Sequence, residues 1–223
     1  MPRHPRAFHP GQAFHVVRRG RNREPCFTGP EDRALYLSLL VQFARETATA
    51  IHAWVLMPNH VHLLLTAGED GSPSRLMHRV GLAYGRATNR RYGRTGTLWE
   101  ERFYSTPVES DRYVLSCSRY IELNPVRAAI VEHPADYRWS SYHDNVNPAS
   151  GSWLVPHPSL LALGSTPREA GERYRVMFQD PIDAEMLAAL RNRRPPPPGT
   201  PGTWIDPRSG GQAAANCSSA SRA

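Results

Sequence analysis

Hydrophobic positions in the first half of the chain follow two spacings, one typical of strands and the other typical of helices. Two long segments carry apolar residues at every third or fourth position, which predicts amphipathic helices over residues 31–47 and 74–90. Short segments rich in β-branched and aromatic residues predict four strands, over residues 13–19, 50–57, 60–66 and 98–108.

A third helix is predicted directly after the fourth strand. Ser110 is a good N-cap, and the helix is expected to end near Leu123, ahead of Pro125. The order β-α-β-β-α-β-α predicts an α+β fold, a ferredoxin-like split βαβ antiparallel sheet with helices on one face and one helix added after it. The added helix carries Tyr120.

Composition divides the chain into three parts. We predict a main domain over residues 1–150, a helical C-terminal extension over residues 151–192, and a tail over residues 193–223. The tail is rich in proline, glycine and serine, a composition that predicts disorder because it offers little apolar surface to bury.

Two histidines lie one residue apart in the third predicted strand. Because strand side chains alternate, His60 and His62 face the same side of the sheet, where two imidazoles can bind one divalent ion. Such a pair is a weak signal by itself, because strand histidines are usually structural. His15 and the remaining histidines have no paired neighbour in the sequence, so we expect them to be structural.

The third helix places a tyrosine and an asparagine on one face. Tyr120 and Asn124 are four residues apart, so the tyrosine hydroxyl and the amide oxygen project together. An ion held by Asn124 and the histidine pair would lie close to the Tyr120 hydroxyl. Imidazole and oxygen ligands with open positions suit Mg²⁺ or Mn²⁺, and Tyr120 could then attack a phosphate. Glu122 lies about 200° around the helix from Tyr120 and is a poor general base.

Arginine supplies all 27 basic residues, and the chain contains no lysine. Mechanisms that require a lysine, such as a Walker A loop or a Schiff base, are therefore excluded. The net charge of +7 is concentrated in two blocks, since residues 1–23 carry six arginines without an acidic residue and residues 72–127 carry ten against five acidic residues. Such blocks suit nucleic acid, although a solvated surface explains the charge equally well.

The chain has no apolar segment long enough to span a bilayer, and because no apolar stretch follows its first residues we expect no secretory signal. Its three cysteines are widely spaced, which favours neither a disulfide framework nor a zinc site. These features predict a cytoplasmic protein with no membrane partner.

Four segments of the sequence resemble the REP-associated tyrosine transposases, single-tyrosine HUH transposases related to the enzymes of small insertion sequences. The resemblance runs from residue 14 to residue 142, with a looser match to about residue 190. The segments that carry it are MPNHVHLLL at 57–65, GTLWEERF at 96–103, RYIELNPVRAAIV at 119–131 and YRWSSY at 137–142.

This resemblance implies a metal-dependent transposase that cleaves and rejoins single-stranded DNA at hairpin, REP-like palindromic sequences through a 5′-phosphotyrosine. It implies that Tyr120 is the nucleophile and that His60, His62 and Asn124 bind Mg²⁺ or Mn²⁺. Tyr113 and Tyr104 are competing tyrosines, but neither has an asparagine four residues later. The implied partner is a single-stranded DNA hairpin, and the protein is expected to be a monomer or a homodimer.

The arginines of the two basic blocks are then candidates for phosphate contacts. The alternative functions are a catalytically decayed or domesticated hairpin-DNA-binding protein, a non-catalytic nucleic-acid-binding module, and a metal-dependent hydrolase without covalent catalysis. The predicted DNA-binding residues are Arg18, Arg19, Arg75, Arg79, Arg86, Arg90 and Arg94.

Overall fold

Four antiparallel strands form one sheet in the computed structural model, which describes residues 8–192. The strands are β1 (Ala13–Arg19), β2 (Thr49–Met57), β3 (His60–Ala67) and β4 (Tyr104–Val108). Their order across the sheet is β2-β3-β1-β4, with β3 antiparallel to both of its neighbours. The strands β1 and β2 are therefore parallel with β3 between them, and the predicted ferredoxin-like split βαβ sheet is confirmed.

Eight helices accompany the sheet within the described residues. Among them, the three long helices of the first 125 positions begin and end within two residues of the predicted bounds. The helices are α1 (Pro30–Glu46), α2 (Ser72–Tyr92), α3 (Asp111–Glu122), α4 (Asn124–Arg127), α5 (Tyr142–Val146), α6 (Pro158–Leu161), α7 (Pro167–Val176) and α8 (Ala184–Asn192).

The fourth strand is shorter than predicted. Residues 98–103 do not join the sheet as a strand, and Trp99 makes only a single bridge, to Gly20. The indole of Trp99 is buried beneath α2, where its Nε1 donates to the Gly81 carbonyl at 3.3 Å. Burial of this large ring diverts the chain across the end of the sheet, so the prediction for residues 98–103 is wrong.

The two faces of the sheet bury different helices. Along β3, Leu63 and Leu65 pack in the core formed with α1 and α2, whereas Leu64 packs on the opposite face with α3. This alternation follows from the period of two in a strand. His60 and His62 have the same parity as Leu64, so they lie on the face that α3 covers.

The extension beyond residue 150 packs against α3. Leu115 of α3 shares a buried cluster with Tyr142, Leu160 and Tyr174. Leu190 of α8 packs in the core beneath α3. The domain boundary near residue 150 stays a prediction, and the predicted tail over residues 193–223 lies outside the described residues. No helix in the described range 8–192 is both long enough and apolar enough to cross a membrane.

Asp32 ties the start of α1 to the end of α2. Its carboxylate is 1% exposed and accepts hydrogen bonds from the amide of Thr28 at 2.9 Å and the hydroxyl of Tyr92 at 2.9 Å. It also forms an ion pair with Arg91 at 2.7 Å. Burial raises the pKa of Asp32, but these hydrogen bonds outweigh it and hold the pKa below its usual value.

Replacing Asp32 with alanine is expected to lower the free energy of unfolding by about 2–3 kcal/mol, because it removes the buried carboxylate that accepts hydrogen bonds from Thr28, Arg91 and Tyr92. Since the pKa is lowered on folding, this contribution is full above about pH 4 and disappears as the pH falls through the lowered value. Urea unfolding at pH 7 and pH 3 measures both effects. The exposed Glu100→Ala variant is the control, and equal losses in the two variants would contradict the assignment.

Candidate active site

The histidine pair lies at one end of the two central strands. His62 faces Val17 of β1 and Val55 of β2 in the sheet register, and His60 faces Arg19 of β1. The imidazole rings of His60 and His62 are 5.0 Å apart between centroids. His62 is buried and His60 is half-buried. The predicted placement of both rings on one side of the sheet is therefore observed.

The helix α3 holds Tyr120 above this pair. The side chain of Ser110 caps the helix by accepting a hydrogen bond from the amide of Tyr113 at 3.2 Å, as the sequence predicted. Buried Cys117 and Ile121 fix the helix to the sheet. The ring of Tyr120 is 6.0 Å from that of His62 between centroids, so residues 58 positions apart in sequence share one site.

Asn124 follows the tyrosine at the start of α4. Its Nδ2 donates to the carbonyl of Tyr120 at 2.9 Å and to that of Ile121 at 3.3 Å. With the amide nitrogen directed to the helix backbone, Oδ1 is the atom with which this side chain would bind a cation. The structure places Asn124 one helical turn after Tyr120, as the spacing predicted.

Both imidazoles are anchored through Nδ1. Nδ1 of His60 lies 2.6 Å from Oδ1 of Asn59, and Nδ1 of His62 lies 2.8 Å from Nε2 of His15. With Nδ1 engaged inside the protein, Nε2 is the nitrogen with which each ring would bind an ion. His15 has no paired neighbour in the sequence, but the pairing of β1 with β3 brings it to His62.

The donor set fits Mg²⁺ or Mn²⁺. No group of three His, Cys, Asp or Glu side chains that could hold an ion occurs within residues 8–192, so a site built on the histidine pair would take its third protein ligand from another residue type. The carboxamide of Asn124 supplies an oxygen of the kind that these ions prefer, and two imidazoles complete a set that leaves positions for water and phosphate.

Arg127 is a site residue that the sequence reasoning missed. Its guanidinium lies 4.5 Å from the centroid of the Tyr120 ring, in the geometry of a cation–π contact. The sequence spacing could have identified it, because Arg127 is seven residues after Tyr120 and two helical turns bring such positions to the same side of a helix. A permanent positive charge therefore lies beside the tyrosine.

The predicted DNA-binding arginines fall into different environments. The guanidinium of Arg18 donates to the Met77 carbonyl and lies 4.5 Å from the Trp99 ring centroid, so DNA binding by this residue stays a prediction. The structure thus uses Arg18 to join β1 to α2. Arg75 and Arg79 are exposed but pair with acidic side chains, Glu69 and Glu46 respectively.

The other arginines face solvent or the site. Arg19 lies opposite His60 in the register, so it shares the histidine face of the sheet. The remaining three are exposed along the second half of α2 and the loop after it: Arg86, Arg90 and Arg94.

Fold and site together define an α+β protein in which a His-x-His strand lies beneath a tyrosine-bearing helix on a ferredoxin-like sheet. A family model described as "Transposase IS200 like" matches residues 10–124, slightly more than half of the chain. The protein therefore belongs to the IS200-like transposase family. The matched range contains the histidine pair, Tyr120 and Asn124.

Two similar proteins extend this comparison. A REP-associated tyrosine transposase of Escherichia coli (strain K12) is 25% identical over 116 residues, which cover 48% of this chain and 62% of the relative. The chain thus spans less than two thirds of that relative's length. A solved structure of a REP-associated tyrosine transposase bound to a REP hairpin matches 71% of this chain and 93% of its own, at 21% identity and a TM-score of 0.57. This second likeness supports the fold.

Proposed function

We propose that this protein is a transposase that cleaves and rejoins single-stranded DNA at hairpin, REP-like palindromic sequences, with Tyr120 as the nucleophile. The observation that carries the proposal is the convergence of Tyr120 on the histidine pair, with its ring 6.0 Å from that of His62. The similarity to REP-associated tyrosine transposases supports the choice of substrate, since one such relative is bound to a REP hairpin.

In the proposed reaction, the Tyr120 hydroxyl gives up its proton, its oxygen attacks the scissile phosphorus and a phenolic O–P bond forms. The bond from phosphorus to the 3′ oxygen breaks, and that oxygen receives a proton to give a 3′-OH. The phosphotyrosine keeps the energy of the phosphodiester, so attack by another 3′-OH reverses the step and joins the strands. The charge of Arg127 beside the ring stabilises the negative charge that the reacting groups share as the O–P bond forms.

We propose that His60, His62 and Asn124 hold a divalent cation, Mg²⁺ or Mn²⁺. When bound, such an ion supplies Lewis-acid polarisation of the scissile phosphate. Asn59 and the β1 strand keep the two imidazoles in place, so the site is organised before DNA arrives.

We also propose that exposed arginines bind the phosphates of the hairpin, with Arg19, Arg86, Arg90 and Arg94 as the strongest candidates. Arg75 and Arg79 would first have to exchange their acidic partners for phosphate. Arginine suits this role because its planar fork binds two phosphate oxygens. Monomeric or homodimeric assembly and a cytoplasmic location remain predictions.

The experiment combines the full chain, Mn²⁺ or Mg²⁺, and single-stranded oligonucleotides spanning palindromes beside its gene. We expect a covalent protein–DNA adduct on a denaturing gel, and its loss when a chelator is added. Tight hairpin binding without an adduct would instead support a decayed or domesticated DNA-binding protein. Metal-dependent cleavage without an adduct would identify a hydrolase.

Phosphate contacts make a separate prediction about salt. We expect the double variant R86A/R90A to weaken hairpin binding and to reduce the slope of log affinity against log salt concentration by about 2, because each phosphate contact contributes about 1. Fluorescence anisotropy across a salt series measures this slope. Arg168→Ala on α7 is the control, since Arg168 is exposed and pairs with Glu172 on the same helix. An unchanged slope in the double variant would refute the assignment.

A further inference from the structure

A third histidine lies beneath the proposed metal site. Nε2 of His15 is 2.8 Å from Nδ1 of His62, and the two rings are stacked with centroids 5.1 Å apart and planes 20° apart. The ring of His15 also packs edge-to-face against that of Tyr120, with the two centroids 5.9 Å apart. His15 therefore contacts both a proposed ligand and the proposed nucleophile.

The backbone around His15 is held on both sides. It lies in β1, where it faces Leu64 of β3 and Thr106 of β4 in the sheet register. The side chain is 2% exposed. A polar ring at so buried a position costs free energy unless it is hydrogen-bonded, so its hydrogen bond to His62 has a structural reason to persist.

The direction of that hydrogen bond decides how His62 can act. A neutral imidazole donates through one nitrogen and accepts through the other. If His62 is to bind an ion through Nε2, its proton must be on Nδ1, and His15 must accept that proton's hydrogen bond through Nε2. The contact with His15 thus selects the tautomer of His62 that can bind a metal, and the stacking fixes the plane of its ring.

We propose that His15 is a positioning residue for His62, acting as the hydrogen-bond acceptor that orients this ring and keeps its Nε2 available to a divalent cation. The inference rests on the proposed function, because it assumes that His62 is a metal ligand. Asn59 has the same role for His60, because Oδ1 of Asn59 lies 2.6 Å from Nδ1 of His60. The two imidazoles are thereby oriented by partners from different parts of the chain.

The test measures Mn²⁺ binding in the absence of DNA, from the loss of the free-ion signal in electron paramagnetic resonance. His15→Phe keeps a buried ring that can stack but removes the acceptor, and we expect it to weaken Mn²⁺ binding about 10–100-fold. His15→Gln restores an acceptor oxygen and is expected to lose less affinity. His52→Phe is the matched control, because His52 is also buried in the sheet, with partners Val155 and Thr66.

The outcomes separate this inference from the proposed function. Equal Mn²⁺ affinity in the wild type and in His15→Phe, with loss in His62→Ala, would overturn the role of His15 alone. Mn²⁺ binding that does not change in His62→Ala would overturn the metal site and the inference with it.

A second measurement needs no variant. Nitrogen-15 spectra of the histidine side chains in the metal-free protein are expected to place the His62 proton on Nδ1. A proton on Nε2 would overturn the inference, even if His15→Phe failed to fold.

Discussion

Tyr120→Phe is expected to abolish the covalent protein–DNA adduct, reducing its rate of formation by at least about 10³-fold. The substitution removes only the hydroxyl oxygen that would bond to phosphorus. The ring itself keeps its contacts with His62 and His15 and remains beneath the Arg127 guanidinium. Hairpin affinity should therefore stay within about twofold of the wild type, because binding relies on arginine–phosphate contacts. Denaturing gels and fluorescence anisotropy measure the two quantities.

Two other tyrosines give matched controls. Tyr113 lies two turns earlier on α3 and is buried in the core, whereas Tyr104 is 43% exposed on β4. We expect Tyr113→Phe and Tyr104→Phe to form the adduct at rates close to that of the wild type. An adduct that persists in Tyr120→Phe but disappears in Tyr104→Phe would move the nucleophile from α3 to β4.

The principal elements of the site could be predicted because their geometry is local. Alternation along one strand puts His60 and His62 on the same side, and helical spacing does the same for Tyr120 and Asn124. Neither rule says which two segments meet. Their meeting followed only from the split βαβ order, in which α3 returns over β3.

What the sequence did not reveal depends on contacts between distant segments. His15 is an isolated histidine in the sequence, and only the register of β1 against β3 makes it a neighbour of His62. Arg18 is one of several clustered arginines, yet its guanidinium packs against the buried Trp99 ring and donates to the Met77 carbonyl of α2. In both Arg18 and the shortened β4, the packing of the Trp99 ring against α2 determines the local structure more strongly than the local sequence composition does.

The environment of Glu122 is also formed by distant segments. Its replacement is expected to have a large effect on the free energy of unfolding. It lies two residues after Tyr120 but points away from the site, as helical geometry predicted. Its carboxylate is fully buried and accepts hydrogen bonds from Ser141 at 2.6 Å, Asn145 at 2.7 Å and Tyr174 at 2.9 Å. Burial raises the pKa of Glu122 to about 7, although the hydrogen bonds from Ser141, Asn145 and Tyr174 oppose the shift.

The three donors lie beyond residue 124, where the match to the family model ends. The helix that bears Tyr120 is thus held by α5, α7 and the segment before α5. Arg119 makes a second contact between α3 and the extension, since its guanidinium donates to the Asp180 carbonyl and lies 5.7 Å from the ring centroid of Phe178. The extension is therefore part of what positions the tyrosine.

We expect Glu122→Ala to lower the free energy of unfolding by about 3–5 kcal/mol, because it leaves a cavity and removes the acceptor of three buried donors. Glu122→Gln should lose only about 1 kcal/mol, since its carbonyl oxygen still accepts and the Tyr174 hydroxyl can rotate to accept from its amide. Urea unfolding measures both, with the exposed Glu132→Ala variant as the control. Similar losses in the glutamine and alanine variants would mean that negative charge, and not hydrogen bonding, joins α3 to the extension.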